Sequence, residues 1–218
     1  QKLTVVYGDC TLGVHGSTGG KPFHYIFSYQ TGGPESINID GREWLYRTPK
    51  PTFWRALTDN DRGSGFHLKS GVWMSADLFM GCVGIEFFAD GKRMPLPIAP
   101  ENNKFGSEVD ADDISIAFTY ETITSPRTNA VVVYKVNSCG KIHVAAAYKG
   151  KEGLPELPVF GMRFIMPTKA AGFRYEGLSG ETYPDRKAGG RKGIYEVEGL
   201  PVTPYLVPQD CGMHMDTR

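Results

Sequence analysis

Long apolar stretches and an excess of one charge are both absent from this sequence. No run of about 18 apolar residues occurs, which is the minimum for a membrane-spanning helix, so we predict a soluble chain without a membrane partner. Lys and Arg together number 24, and Asp and Glu also number 24. A chain balanced in this way has no bulk field that attracts a polyanion, so we expect no nucleic-acid partner.

Short catalytic and metal-binding motifs are also missing. The sequence has no G-x-S-x-G, P-loop or G-x-G-x-x-G pattern, which leaves hydrolase triads and nucleotide binding without support. No C-x-x-C spacing occurs, and we predict free, mostly buried thiols, with one or two disulfides as the alternative. The cysteines are Cys10, Cys82, Cys139 and Cys211.

Histidines are few and scattered. They form no H-x-H or H-E-x-x-H pattern, so the sequence predicts neither a metal site nor a cofactor. The histidines are His15, His24, His67, His143 and His214.

Glycine, proline and aromatic residues are abundant by contrast. The 27 glycines, 15 prolines and 12% aromatics favour many short strands joined by turns, because glycine and proline weaken helix interiors. No repeat and no low-complexity linker divides the chain. We therefore predict an all-β protein, a single large antiparallel β-sandwich domain over residues 1–218.

The order of the elements follows from local patterns. Leu3–Val14 and Phe23–Tyr29 are typical of strands, and Asp40-Gly41 between two strand-like runs predicts a hairpin. The later β-rich runs predict an antiparallel meander that turns around Ser138–Lys141, followed by further strands near the C-terminus. The run GVWMSADLFMG at Gly71–Gly81 has apolar residues at helical spacing and predicts one short helix.

The stretch from Pro49 to Ser70 is rich in prolines, aromatics and polar residues and predicts a structured loop, within which polar residues crowd together in the run FWRALTDNDRG at Phe53–Gly63. Carboxylates and amides can bind sugar hydroxyls beside an aromatic face, so we select Arg55, Asp59, Asn60 and Asp61 as candidate sugar-binding residues. The alternative is structural: Asp59 and Asp61 cap backbone amides and pair with neighbouring arginines.

Three other sets of residues suit catalysis by type alone. Glycosidases use two carboxylates about 5 to 9 Å apart, a role that Glu176 and Glu181 could fill, although nothing in their spacing requires it. An epimerase needs a paired acid and base, for which the sequence offers His143 with Glu121 or Glu176.

Several blocks of the sequence resemble one enzyme family. FWRALTDNDRG resembles the F-x-RAPTDNDRG signature in the C-terminal module of family 2 glycoside hydrolases that are β-galactosidases. YEGLSGETYPDRKAGGRKGIY and PYLVPQDCGMHMDTR are similar to two later blocks of that module, in the same order. Leu57 stands where the family usually has proline, and the second block departs from the family around Gly177–Thr182.

The resemblance implies both a fold and a division of labour. The family module is a supersandwich like that of galactose mutarotases. In the family, the catalytic glutamates belong to an upstream (β/α)₈ barrel. We therefore expect this chain to contain no catalytic residue and to be inactive alone. We also expect it to bind the remaining domains of a bacterial β-galactosidase and to line the active-site mouth. A free-standing carbohydrate-binding module and a mutarotase-like epimerase are the alternatives. The family module continues beyond this chain, so we expect an incomplete sandwich that associates with itself or is only marginally stable.

Overall fold

The computed structural model describes residues 2–96, 109–179 and 190–199, and strands dominate them. This confirms the all-β fold class. The strands are β1 Leu3–Tyr7, β2 Thr11–Thr18, β3 Lys21–Ser28, β4 Gly33–Ile39, β5 Arg42–Glu43, β6 Arg47–Thr52, β7 Gly81–Ala89, β8 Lys92–Met94, β9 Val109–Ala111, β10 Asp113–Glu121, β11 Asn129–Asn137, β12 Ile142–Tyr148, β13 Gly161–Ile165, β14 Gly172–Ser179 and β15 Arg191–Glu198. No helix in these three ranges is long and apolar enough to cross a membrane.

The chain divides into two compact units. Unit 1 comprises Gln1–Arg55 and Val72–Pro167, and unit 2 comprises Ala56–Gly71 and Thr168–Arg218. The single-domain assignment stays a prediction.

Unit 1 contains two antiparallel sheets and a smaller β6–β13 pair. The larger sheet has the order β5-β4-β3-β2-β1-β9, and the second has the order β12-β11-β10-β7-β8. The second sheet is the predicted meander, which is confirmed. Alternate residues enter the core because side chains in a strand alternate between faces. On β3 the buried apolar residues are Phe23, Tyr25 and Phe27, and on β11 they are Ala130, Val132, Tyr134 and Val136.

Two Asp-Gly pairs form the tight hairpin turns. Asp40 and Gly41 have φ of 54° and 78°, and Asp90 and Gly91 have φ of 49° and 74°. Both central residues of a type I′ turn need positive φ, which aspartate tolerates and glycine adopts freely. The first turn pairs Ile39 with Arg42, so the predicted hairpin is confirmed.

The helix predicted over Gly71–Gly81 is wrong. Gly71–Trp73 forms one turn of 3₁₀ helix, and successive turns follow, in which Ala76 N donates to Trp73 O and Leu78 N donates to Ser75 O. Ser75 has φ of 64°, a left-handed conformation that an α-helix cannot contain. The residues of this segment that are buried in the core are Trp73, Ala76 and Met80.

The predicted burial of the thiols is also largely wrong. Cys10, Cys82 and Cys139 are unpaired as predicted, but Cys10 and Cys139 are exposed and only Cys82 is half-buried. Cys10 and Cys139 lie at turns beside strand ends, where the chain faces water. Cys211 lies outside the described residues.

Unit 2 holds the two α-helices of the described chain and one hairpin. Helix α1 spans Asp59–Ser64 and α2 spans Phe66–Lys69. Strands β14 and β15 pair from Gly172↔Glu198 to Ser179↔Arg191, which confirms the two strands predicted there. Tyr175 stacks on Tyr195 across this ladder with ring centroids 5.4 Å apart.

Candidate functional site

Helix α1 is built by the candidate residues themselves. The hydroxyl of Thr58 accepts a hydrogen bond from Asp61 N at 3.2 Å, and the carboxylate of Asp61 accepts one from Thr58 N at 2.9 Å. This reciprocal capping box satisfies amides that the first helical turn leaves without partners. Gly65, with φ of 69°, ends the helix and donates to Arg62 O. Residues predicted to form a loop thus form a short capped helix.

Asp59 and Asn60 lie on the exposed side of this turn. Asp59 Oδ1 is 2.9 Å from Arg62 Nη1, in an ion pair whose side chains are both more than half exposed. Asn60 is exposed as well. The contacts of Asp59 and Asp61 are those of the structural alternative, a cap and a pair with a neighbouring arginine. Both Asn60 and Asp59 remain exposed to solvent.

Arg55 belongs to the other compact unit. It follows β6, is half-buried and is the last residue of the first segment of unit 1. The structure therefore brings Asp59, Asn60 and Asp61 together on one helical turn, with Arg55 four residues before that turn in the chain. Their role in sugar recognition stays a prediction.

The structure separates His143 from Glu121. Glu121 ends β10 opposite Asn129 and pairs with Arg127 at 2.6 Å, whereas His143 on β12 lies opposite Lys135. Along β11 the two positions are six residues apart, or roughly 20 Å at about 3.3 Å per residue. This pair cannot act as the acid and base of an epimerase on one substrate.

Glu176 lies on the exposed side of β14. It lines an open depression of about 260 Å³ together with Arg174, Tyr175 and Ile194. Glu181, its proposed catalytic partner, lies outside the described residues.

Among the residues that the structure describes, Glu43 is the carboxylate with the densest set of hydrogen-bond donors, and these donors hold the backbone around β5. Burial raises the pKa of Glu43, but hydrogen bonds from the hydroxyl of Ser36 and the amides of Leu45, Ile37 and Trp44 lower it further, so the net shift is downward. These donors lie 2.5 to 3.0 Å from the carboxylate and fix the chain around β5.

The thiol of Cys82 has a shifted pKa for a different reason. Burial raises the pKa of Cys82, which keeps the thiol protonated and makes it a poor nucleophile. No group of three or more His, Cys, Asp or Glu within residues 2–96, 109–179 and 190–199 is placed to hold a metal ion.

One close pair of functional side chains escaped the sequence analysis. His15 and His24 lie opposite each other on β2 and β3. The Gly19-Gly20 pair in the sequence could have indicated this contact, because two glycines favour a two-residue hairpin turn. Such a turn pairs Thr18 with Lys21 and, three residues further along each strand, His15 with His24.

Comparisons with known proteins agree with the blocks found in the sequence. A family profile described as "Beta galactosidase small chain" matches residues 19–218. The chain is 60% identical to the β-galactosidase small subunit of Latilactobacillus sakei over its whole length, which covers 67% of that protein. It is 37% identical to a β-galactosidase of Clostridium acetobutylicum and 34% identical to one of Lactobacillus delbrueckii subsp. bulgaricus, over 90% and 98% of this chain. In both cases the chain spans only 19% of the relative's length. These matches confirm the predicted resemblance, and the chain belongs to the β-galactosidase small chain family.

Proposed function

We propose that this chain is a non-catalytic component of a β-galactosidase that packs against the catalytic remainder of the enzyme and borders its active-site mouth. The observation that carries the proposal is the coverage: almost all of this chain matches a region that makes up 19% of several β-galactosidases. The family resemblance implies that the remainder contains the barrel with both catalytic glutamates. The substrate class of the assembled enzyme is then terminal β-galactosides.

An apolar surface on unit 1 supports a packing role. Four large apolar side chains between residues 74 and 83, and one shortly after β10, are each between 51% and 66% exposed. They are Met74, Leu78, Phe79, Val83 and Ile123, which we call the apolar surface. Exposed apolar side chains in such number mark surfaces that another protein covers.

The strand register places Phe79, Val83 and Ile123 of this set toward the same end of the β7–β10 ladder. Gly81 pairs with Glu121, so Phe79 and Ile123, each two residues beyond that pair, leave the β7–β10 ladder at the same end. Thr119 lies opposite Gly84 while Tyr120 lies opposite Cys82, which makes Val83 the extra residue of a β-bulge. A bulge redirects a side chain, and here Val83 is exposed.

The occupant to which we commit is the barrel-bearing remainder of the enzyme. In single-chain relatives the region that matches this chain is covalently attached to a remainder about four times its size, given the 19% coverage. The residues that we assign to the active-site mouth are Asp59, Asn60 and Asp61 on helix α1, and Arg55, which precedes that helix in the chain. Their hydrogen-bonding groups suit sugar hydroxyls.

Complementation tests the proposal. The chain replaces the matching 67% of the Latilactobacillus sakei small subunit, and this chimera is produced with and without the large chain of that enzyme. We expect hydrolysis of a chromogenic β-galactoside only when both chains are present. Turnover by the purified chain alone, or an inactive mixture of a folded chimera with a large chain that the native subunit activates, would overturn the proposal.

A substitution in the apolar surface tests whether this surface contacts the large chain. Phe79→Asp in the chimera should weaken binding to the large chain by about 30-fold, because loss of a central aromatic anchor costs about 2 kcal/mol or more. Ile194→Asp in unit 2 is the matched control, since Ile194 is 59% exposed and lies outside the apolar surface. If Phe79→Asp and Ile194→Asp weaken binding equally, the large chain does not bind at the apolar surface.

The role of helix α1 is tested in the active mixture. Asn60→Ala should raise KM about five-fold, the equivalent of one hydrogen bond of about 1 kcal/mol, and Lys69→Ala on α2 should not. An unchanged KM in Asn60→Ala would remove Asn60 from the active-site mouth without affecting the packing role.

A further inference from the structure

His15 and His24 form a close pair on the outer face of the larger sheet. Their Nδ1 atoms are 2.5 Å apart, and the ring centroids are 4.7 Å apart with the rings at 74°. The residues before and after each histidine face the other way: Val14, Phe23 and Tyr25 are buried in the core. The pair therefore points to the solvent side of the β2–β3 hairpin.

The hydrogen-bond pattern explains why the rings come so close. Tyr29 N donates to Cys10 O, so Cys10 and Tyr29 form a hydrogen-bonded pair. Such pairs alternate with non-hydrogen-bonded pairs along an antiparallel ladder, and the β2–β3 register has no shift. His15 and His24 are five positions further along, which makes them a non-hydrogen-bonded pair, the type in which side chains approach most closely.

The contact between the rings requires a lone pair. Two Nδ1 atoms at hydrogen-bonding distance cannot both carry protons, so at least one nitrogen directs a lone pair into the shared space. The second Nδ1 offers a lone pair when its ring is neutral and carries its proton on Nε2, the tautomer in which Nδ1 is an acceptor. Two imidazole nitrogens on one rigid hairpin are the donor set that borderline divalent metals prefer.

We infer that His15 and His24 bind a divalent first-row transition metal across the β2–β3 hairpin, with both Nδ1 atoms as ligands and water completing the coordination. This departs from the sequence-based prediction of no metal site. The inference is independent of the role in β-galactosidase assembly.

The size of the ion fits a small movement of the rings. At about 2.0 to 2.1 Å per zinc–nitrogen bond and tetrahedral angles, the two nitrogens would be roughly 3.3 Å apart. Because the two Nδ1 atoms are 2.5 Å apart, the rings must move apart by somewhat less than 1 Å to admit the ion. Exposed side chains on a strand can make such a rotation about χ2, where imidazole torsions are broad.

Neighbouring residues favour a hydrated ion at this place. Thr4 lies opposite His15 on β1, and Asn38 lies opposite His24 on β4, so oxygen atoms that can hydrogen-bond to metal-bound water occupy both sides of the pair. Gly13 makes room for the ring, because a Cβ at that position would lie 3.0 Å from His15 Nε2.

Metal titration of the full chain tests the inference. Cu²⁺ should bind more tightly than Zn²⁺ or Ni²⁺, in keeping with the general order for imidazole sites. His15→Ala and His24→Ala should each weaken Cu²⁺ binding at this site by about tenfold or more. The matched control is His143→Ala, an exposed strand histidine whose cross-strand neighbour is Lys135, and this variant should bind as the wild type does.

A second readout locates the metal directly. On addition of Zn²⁺, the imidazole ¹⁵N resonances of His15 and His24 should shift together while those of His143 stay in place. Circular dichroism establishes that each variant is folded. Equal affinity in the wild type and both variants, or imidazole resonances of His15 and His24 that ignore saturating Zn²⁺, would overturn the inference.

Discussion

The helices at Asp59–Lys69 and the turns at Gly71–Met80 are neighbours along the chain, and different contacts hold them. Helix α1 depends on the capping box between Thr58 and Asp61, and neither helix contains a buried residue. The turn segment places Trp73, Ala76 and Met80 in the core. An exposed segment here is fixed by local polar contacts, and a buried one by the side chains that it places inside.

This difference implies unequal energies. A capping hydrogen bond contributes about 1 kcal/mol, whereas a fully buried tryptophan contributes several times as much. A buried side chain can therefore impose an unfavourable backbone angle such as that of Ser75, whereas a cap can only select among conformations that the backbone already favours.

The largest effect is expected for Trp73→Ala. Trp73 is fully buried, stacks on Phe53 at 5.3 Å, meets Tyr148 edge-on at 5.7 Å and donates from Nε1 to Pro155 O. Its loss should lower the free energy of unfolding by about 3 to 5 kcal/mol. Chemical denaturation measures this change.

Met74→Ala is the control, because Met74 is adjacent in sequence and 51% exposed. A similar loss of stability in both variants would show that burial is not what holds the turns.

A smaller effect, dependent on pH, is expected for Glu43→Gln. The pKa of Glu43 is lowered from 4.5 in the folded chain, so its contribution to stability is complete above about 4.5 and is lost as the pH falls through the lower folded value. The wild type should therefore be more stable than the variant near neutral pH, and the difference should shrink below pH 4.5. Denaturation curves at a series of pH values test this, and a difference that is constant with pH would contradict it.

The smallest effect is expected for Thr58→Ala, which removes one half of the capping box. The loss should be about 1 kcal/mol and local to α1. Hydrogen exchange should speed up at the amide of Asp61, which loses its acceptor. Thr58→Ser keeps the hydroxyl and serves as the control. Faster hydrogen exchange throughout the β2–β3 hairpin of unit 1 would contradict the prediction that the cap stabilises only α1.

Local patterns predicted the strands well because each depends on few residues. Positive φ at Asp40-Gly41 and alternation along β3 and β11 follow directly from the sequence. The helix at Gly71–Gly81 was predicted wrongly because periodic apolar residues indicate burial, and both a helix and a series of turns can bury residues at that spacing. The Thr58-x-x-Asp61 pattern was present in the sequence, but the prolines, aromatics and consecutive polar residues around it favoured a loop.

The candidate residues were found by type, and the sequence left two roles open for them, sugar binding or capping and pairing with neighbouring arginines. Asp59 and Asp61 were selected as clustered carboxylates, yet only the structure shows that one caps α1 and the other pairs with Arg62. The bulge that exposes Val83 depends on how β7 pairs with β10, a contact between residues far apart in the chain.

The sequence by itself determined the family, the all-β class and the hairpin turns, since these depend on residue types, alternation and the backbone preferences of neighbouring residues. Tertiary structure alone decided which strands lie side by side, that Ser75 adopts a left-handed angle between the buried residues Trp73 and Ala76, and which apolar residues remain exposed. These features depend on packing among segments distant in the chain, where the free energy of burial exceeds local preference.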